Sequence, residues 1–155
     1  MKRGLCVAAL GLWAVTLVIA GWFFVQGWTT KGTDGRREIL LAPSERDQIL
    51  AEMRQLLKGV DGVIRGLSES QPDRKSMEEV ARAVGMKMAA DTSPAIMAKL
   101  PLPFKQMGMS IHKDMDALAD AIVQQETPQQ ILQRLSNMTA RCTTCHDLYR
   151  FGIDK

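Results

Sequence analysis

The sequence predicts an all-α protein, an antiparallel four-helix bundle preceded by one N-terminal transmembrane helix. Three observations carry this. The run from Leu5 to Gln26 contains no charged residue. Four later segments repeat apolar residues at alternating intervals of three and four. No segment alternates with period two over a useful length, so no sheet is expected. The chain divides accordingly into an anchor (1–28), a linker (29–43) and a bundle domain (44–155).

Composition narrows the possibilities. Charged residues make up 24% of the 155 and apolar ones 46%, close to the averages of a folded domain. That excludes a disordered tail, a collagen-like fibre and a disulfide-stapled miniprotein. Twenty Lys and Arg stand against 17 Asp and Glu, a balance that argues against a nucleic-acid partner.

Lys2 and Arg3 precede the apolar run, and Trp22, Phe23, Phe24 and Trp28 mark its far end. About 20 apolar residues suffice to span a bilayer, and aromatic residues favour its boundary. A cleaved signal peptide has a shorter apolar core. Cutting after Ala20 would also expose Gly21-Trp22-Phe23-Phe24-Val25 as a new terminus, so retention is expected. Cys6 lies too early for a lipoprotein and reads as a small apolar residue in lipid. The expected location is the bacterial inner membrane, crossed once, with residues 5–28 in contact with the bilayer and the domain in the periplasm.

Residues 29–43 read as a linker of Thr, Gly and charge ending in Ile39-Leu40-Leu41. Fully stretched it reaches roughly 50 Å. The sequence leaves open whether Ile39-Leu40-Leu41 folds back onto the domain.

Ser44 is the expected N-cap of the first bundle helix, with Glu45 and Asp47 in its first turn. Ile49, Met53, Leu56, Val60, Val63 and Leu67 form its stripe, widened by Leu50, Leu57 and Ile64. Gln71-Pro72-Asp73 makes a turn into a second helix with Met77, Val80, Ala81, Val84 and Met88 inward. Pro94, Pro101 and Pro103 make 91–103 a loop, with one helical turn at 95–100. The third helix carries Phe104, Met107, Ile111, Met115, Leu118 and Ile122 on one face. Thr127-Pro128-Gln129-Gln130 is a capping box with Pro at the first helical position. The fourth helix shows Ile131, Leu135, Met138, Cys142, Cys145 and Tyr149.

Cys142-Thr143-Thr144-Cys145-His146 has the C-x-x-C-H spacing of covalent c-type haem attachment. At about 100° per residue, Cys145 lies roughly 60° to one side of Cys142 and His146 roughly 40° to the other. All three share one helix face. The two thiols suit the two haem vinyl groups, and His146 the proximal position on iron. A redox dithiol would open a helix after a strand, whereas this motif closes the last helix. Zinc would require a fourth ligand, and Cys6 lies across the anchor. A plain disulfide leaves His146 unexplained.

The stretch Arg141-Cys142-Thr143-Thr144-Cys145-His146-Asp147-Leu148-Tyr149-Arg150, closing the last of four helices, resembles the class II cytochromes c, the cytochrome c′ family. The resemblance covers about residues 44–151, specific at the motif and architectural elsewhere. It implies one covalent haem c near one end of the bundle, with His146 proximal and the distal face either open or filled by a Met of the first helix. It also implies possible pairing as a homodimer. The anchor departs from the soluble members, so free diffusion is not implied.

Counting from the turns puts Met53, Met86 to Met88 and Gln106-Met107 at the level of His146. Met53 is the preferred distal ligand, on the inward stripe and within a turn of the family's position. A different alignment, on Arg46, places Leu50 there and leaves iron five-coordinate. Met86, Met88, Met107 and Met109 are further candidates. So is His112, which is expected either to face outward, to bond a propionate or to give bis-His ligation. Tyr149 is expected at the haem edge. Arg54, Lys105, Arg141 and Arg150 are candidates for propionates or for an acidic partner.

The function expected is that of a membrane-tethered, non-enzymatic electron carrier exchanging with membrane-bound or periplasmic redox proteins. The alternatives are a five-coordinate protein binding nitric oxide or carbon monoxide, and a haem subunit of a larger membrane redox complex.

Overall fold

The structure, a computed structural model, describes residues 2–154 and is mostly helical. Helix α1 (Lys2–Gln26) is followed by strands β1 (Thr29–Lys31) and β2 (Arg37–Leu41). Then come α2 (Pro43–Ser68), α3 (Arg74–Ala83), α4 (Met86–Ala89), α5 (Pro94–Lys99), α6 (Leu102–Val123), α7 (Pro128–Leu148) and strand β3 (Tyr149–Ile153).

Within α1, Cys6–Gln26 is long and apolar enough to cross a membrane, with mean hydropathy 2.1 and none of that stretch buried. Its end is tied to the domain. Gly27 takes φ +64, and a Cβ there would lie 2.5 Å from the Lys99 carbonyl oxygen. Only glycine permits both that backbone and that approach. The Trp28 amide donates to the same carbonyl at 2.8 Å, and the Trp28 carbonyl accepts from the Leu40 amide at 2.8 Å.

Residues 29–41 are therefore not an extended linker. They form a hairpin turned at Gly32 to Gly35, with Gly35 at φ +85 and β1 antiparallel to β2. The chain's last strand, β3, joins β2 in parallel, pairing Ile39 with Phe151. The expectation of no sheet fails because these strands are only three to five residues long. Ile39 and Leu41 are fully buried and Leu40 is half-buried, so β2 is an apolar run rather than an alternation.

Helix α2 begins one residue before the expected cap. Ala42 is its N-cap and Pro43 its first residue, while the Glu45 carboxylate accepts from the Ala42 amide at 2.8 Å. Proline at N1 fixes φ where no amide partner is needed. Ser44 is thus already helical. Leu57 and Ile64 face outward rather than widening the buried stripe.

Asp73 caps α3, accepting from the Lys75 and Ser76 amides. The second helix does not run on to Met88. It breaks at Gly85, where the Asp116 carboxylate occupies the space of a Cβ and accepts from the Met86 amide at 2.9 Å. The capping box of α7 forms as expected: Gln130 accepts from the Thr127 amide at 2.8 Å and donates its own amide to the Thr127 hydroxyl.

Helix α2 packs on α3, α3 on α6, and α6 on α7, with α2 also touching α7. The larger core joins Val60, Val63, Met77, Ala81, Met115, Leu118, Ile122, Ile131, Leu135 and Met138. A smaller one joins Ile39, Leu41, Ile49, Ile96, Leu100 and Phe104 at the end where α1 and the sheet meet the helices.

Candidate functional site

The C-x-x-C-H segment occupies the last two turns of α7, between the two cores. Cys142 packs against the larger and Cys145 against the smaller. Both thiols are free and half-buried. Burial raises the pKa of Cys142, and pushes that of Cys145 up to about 11 with help from neighbouring Cys142. His146 is exposed, and its carbonyl, one of the unpaired acceptors at the helix end, takes a hydrogen bond from Arg36 at 3.2 Å.

Cys142, Cys145 and His146 all open on one cleft that is partly open to solvent. Its walls come from α2 (Ile49, Glu52, Met53, Leu56), from α6 (Phe104 to His112) and from Met97 of α5 with Leu100 just past it. A second cavity adjoins it, sharing Met53, Phe104, Cys145 and His146 and adding Leu50, Tyr149 and Arg150.

The structure brings together Met53, Met107, Met109 and His112 with the motif, all on the first cavity. Met86 and Met88 are not on its wall. Met88 packs on the larger core instead, because the break at Gly85 turns the chain aside. His112 does not face outward: it is 6% exposed, and its Nδ1 lies 2.9 Å from the Val84 carbonyl oxygen. Tyr149 is not a helical residue. It caps α7 and opens β3, with its ring edge-on to Phe104 at 5.4 Å between centroids.

The candidate cations divide. Arg141 lines the cavity and pairs with Asp114. Arg150 pairs with Glu38 at 3.1 Å and Asp34 at 3.4 Å, and Arg54 is exposed. Lys105 is buried, its ammonium 4.2 Å from the Phe24 ring centre and 3.5 Å from the Phe24 carbonyl oxygen. Burial lowers its pKa. Sequence reasoning missed Arg36, whose contact to His146 spans 110 residues, and Phe151, brought beside Phe104 by the unexpected sheet.

The residues fit a haem. The cleft is lined mainly by apolar side chains and carries two thiols and an imidazole on one wall. Among the described residues no three His, Cys, Asp or Glu side chains are placed to hold a bare metal ion. Iron held in a porphyrin asks for only one or two protein ligands. No family model, curated protein or solved structure matches the chain.

Proposed function

We propose that this protein is a membrane-tethered monohaem c-type cytochrome that carries single electrons on the periplasmic side, its helices forming the four-helix bundle of that class. The observation carrying the proposal is that Cys142, Cys145 and His146 share one face of α7 and open on one apolar cavity. Cys142 and Cys145 would hold the group covalently through thioethers, and His146 and Met53 would each offer a ligand atom to its iron. Bound there, haem supplies reversible one-electron chemistry at iron.

The thiols also speak against a dithiol oxidoreductase. Such enzymes lower a thiol pKa at a helix N-terminus. Here both values are raised by burial, at a helix C-terminus where the dipole disfavours a thiolate. Retention of α1 is supported by its end, where the Phe24 carbonyl faces Lys105 and Trp28, two residues past the helix, is bonded to Lys99 and Leu40.

Expression with a c-type maturation apparatus tests the reading. The expected product is coloured, gives a c-type pyridine haemochrome, and after denaturation weighs one haem more than the polypeptide. Colourless product of bare polypeptide mass rejects it. A second reading, an open distal face for nitric oxide or carbon monoxide, draws on Leu50, which lines the adjoining cavity beside His146. A high-spin ferrous spectrum with rapid carbon monoxide binding would favour it.

A further inference from the structure

We infer that α1 is a rigid post rather than a flexible tether, holding the haem cavity against the bilayer surface so that electrons are exchanged with a redox protein embedded in the same membrane. The inference rests on the haem reading and on a retained α1.

The joint is made of several independent contacts. Among the carbonyls left unpaired at the end of α1, Phe24 faces the Lys105 ammonium at 3.5 Å. A cation there also suits the negative end of the helix dipole. Gly27 sits against the Lys99 and Pro101 backbone with no room for a Cβ, and Trp28 is bonded on both sides, to Lys99 and Leu40. The Lys99 ammonium lies 5.9 Å from the Trp28 ring centre and is itself fixed to Glu45 at 2.6 Å. Backbone bonds thus fix Trp28 to two separate elements, and the Lys105 contact reaches past Gly27 onto the helix itself.

The same residues place the cavity. Leu100, which lies against Gly27, and Lys105, on the helix that meets α1, both belong to its wall. Its α6 residues end at His112, eleven residues before Val123, so the far end of α6 stands about 17 Å beyond the cavity at 1.5 Å per residue. Cys6–Gln26 is uncharged and predominantly apolar, and lipid is the medium that satisfies it. The water boundary then falls near Gln26 to Trp28, one side chain from the cavity wall. Lys31 and Arg37, exposed on the hairpin beside Gln26, suit anionic headgroups at that level. A carrier approaching from the periplasm meets the opposite end of the helices. A membrane-embedded partner meets the cavity side-on.

Full-length holoprotein in vesicles tests this without a substitution. With Cys142 and Cys145 consumed as thioethers, Cys6 is the remaining thiol, so a spin label there reports its distance to ferric haem. A single narrow distance distribution is expected, and a broad one overturns the rigid post. Headgroup-labelled fluorescent lipid should be strongly quenched by the haem, and quenching should fall severalfold when ten Gly-Ser residues are inserted between Gly27 and Trp28, with the haem spectrum unchanged. Unquenched native protein overturns the placement. Washed native membranes should reduce or oxidise the haem without added soluble fraction, and a requirement for that fraction overturns the embedded partner. Colourless protein fails the haem reading, whereas coloured protein with a broad distribution fails only this inference.

Discussion

His112 Nδ1 lies 2.9 Å from the carbonyl oxygen of Val84, inside a wall where the histidine is only 6% exposed. A carbonyl can only accept, so Nδ1 donates, and in the neutral ring the lone pair is then on Nε2. That is the arrangement by which a backbone carbonyl orients a metal-ligating imidazole. His112 therefore competes with Met53, which lines the same cavity and shares the second one with His146.

Two single variants separate them. With Met53 as ligand, Met53→Ala gives a high-spin ferrous spectrum and gains carbon monoxide binding, while His112→Phe keeps the low-spin spectrum. The reverse pattern, read by optical spectra and EPR, assigns iron to His112. In either case His112→Phe leaves the Val84 carbonyl unpaired, and chemical denaturation should report a loss of about 1–3 kcal/mol.

Glu45 gives the fold an acid-sensitive clamp. Its carboxylate accepts from Lys99 at 2.6 and 2.9 Å and from the Ala42 amide at 2.8 Å, and the Lys99 ammonium holds its pKa below the ordinary carboxylate value. A pKa lowered by folding gives stability that is present above the unfolded value of 4.5 and lost as pH falls through the lower folded one. Glu45→Gln should therefore cost about 1–2 kcal/mol at pH 7. The gap between variant and wild type should close below pH 4.5, followed by urea midpoints across pH. A gap that stays constant to pH 3 would remove the clamp.

Much of this was legible in the sequence because it is local. The stripes of α6 and α7, the Thr127–Gln130 capping box and the Cys142-to-His146 face all follow from spacing within a few turns. What escaped depends on distant partners. Gly85 breaks the second helix because Asp116, 31 residues on, fills the space of its side chain. The linker became strands because Ile39 pairs with Phe151, and the two short runs give no period to read. Whether His112 faced outward or inward was left open for a similar reason, since its partner Val84 caps another helix. Within the site, the motif was legible and its surroundings only in part: Met53 stands on the wall as spacing suggested, while the roles of Arg36 and Phe104 required the tertiary fold.

The Gly85–Asp116 contact predicts strong non-additivity. A Cβ at 85 would fall 2.0 Å from the Asp116 carboxylate, so Gly85→Ala must displace the group that caps α4. Overpacking of this kind costs about 1–3 kcal/mol. Asp116→Ala alone forfeits the cap, about 1 kcal/mol. In the double variant the clash is gone, so the second substitution should add nearly nothing to the loss from Asp116→Ala. Thermal or urea unfolding of the four proteins checks this, and a fully additive sum would show that the two residues act independently.

Phe151 is the route by which the sheet reaches the site. Its ring meets Phe104 edge-on at 5.7 Å, Tyr149 meets the same ring at 5.4 Å, and Phe104 lines both cavities. Phe104 is thus held in place by two residues of β3, which is in turn held by β2. Phe151→Ala removes one support and leaves a void that partial collapse cannot fill, because Ile39 and Leu41 behind it are already fully buried in the smaller core. The expected cost is about 2–4 kcal/mol, given that Phe151 is half-buried rather than fully enclosed. The site should respond as well, since a loosened Phe104 no longer presses on the wall that Met53 and Cys145 share. Faster carbon monoxide binding than in the native holoprotein is the expected sign, whereas Leu132→Ala, at an exposed position on α7 away from both cavities, should leave that rate unchanged. Loss of stability with an unaltered binding rate would mean that the sheet braces the fold without shaping the pocket.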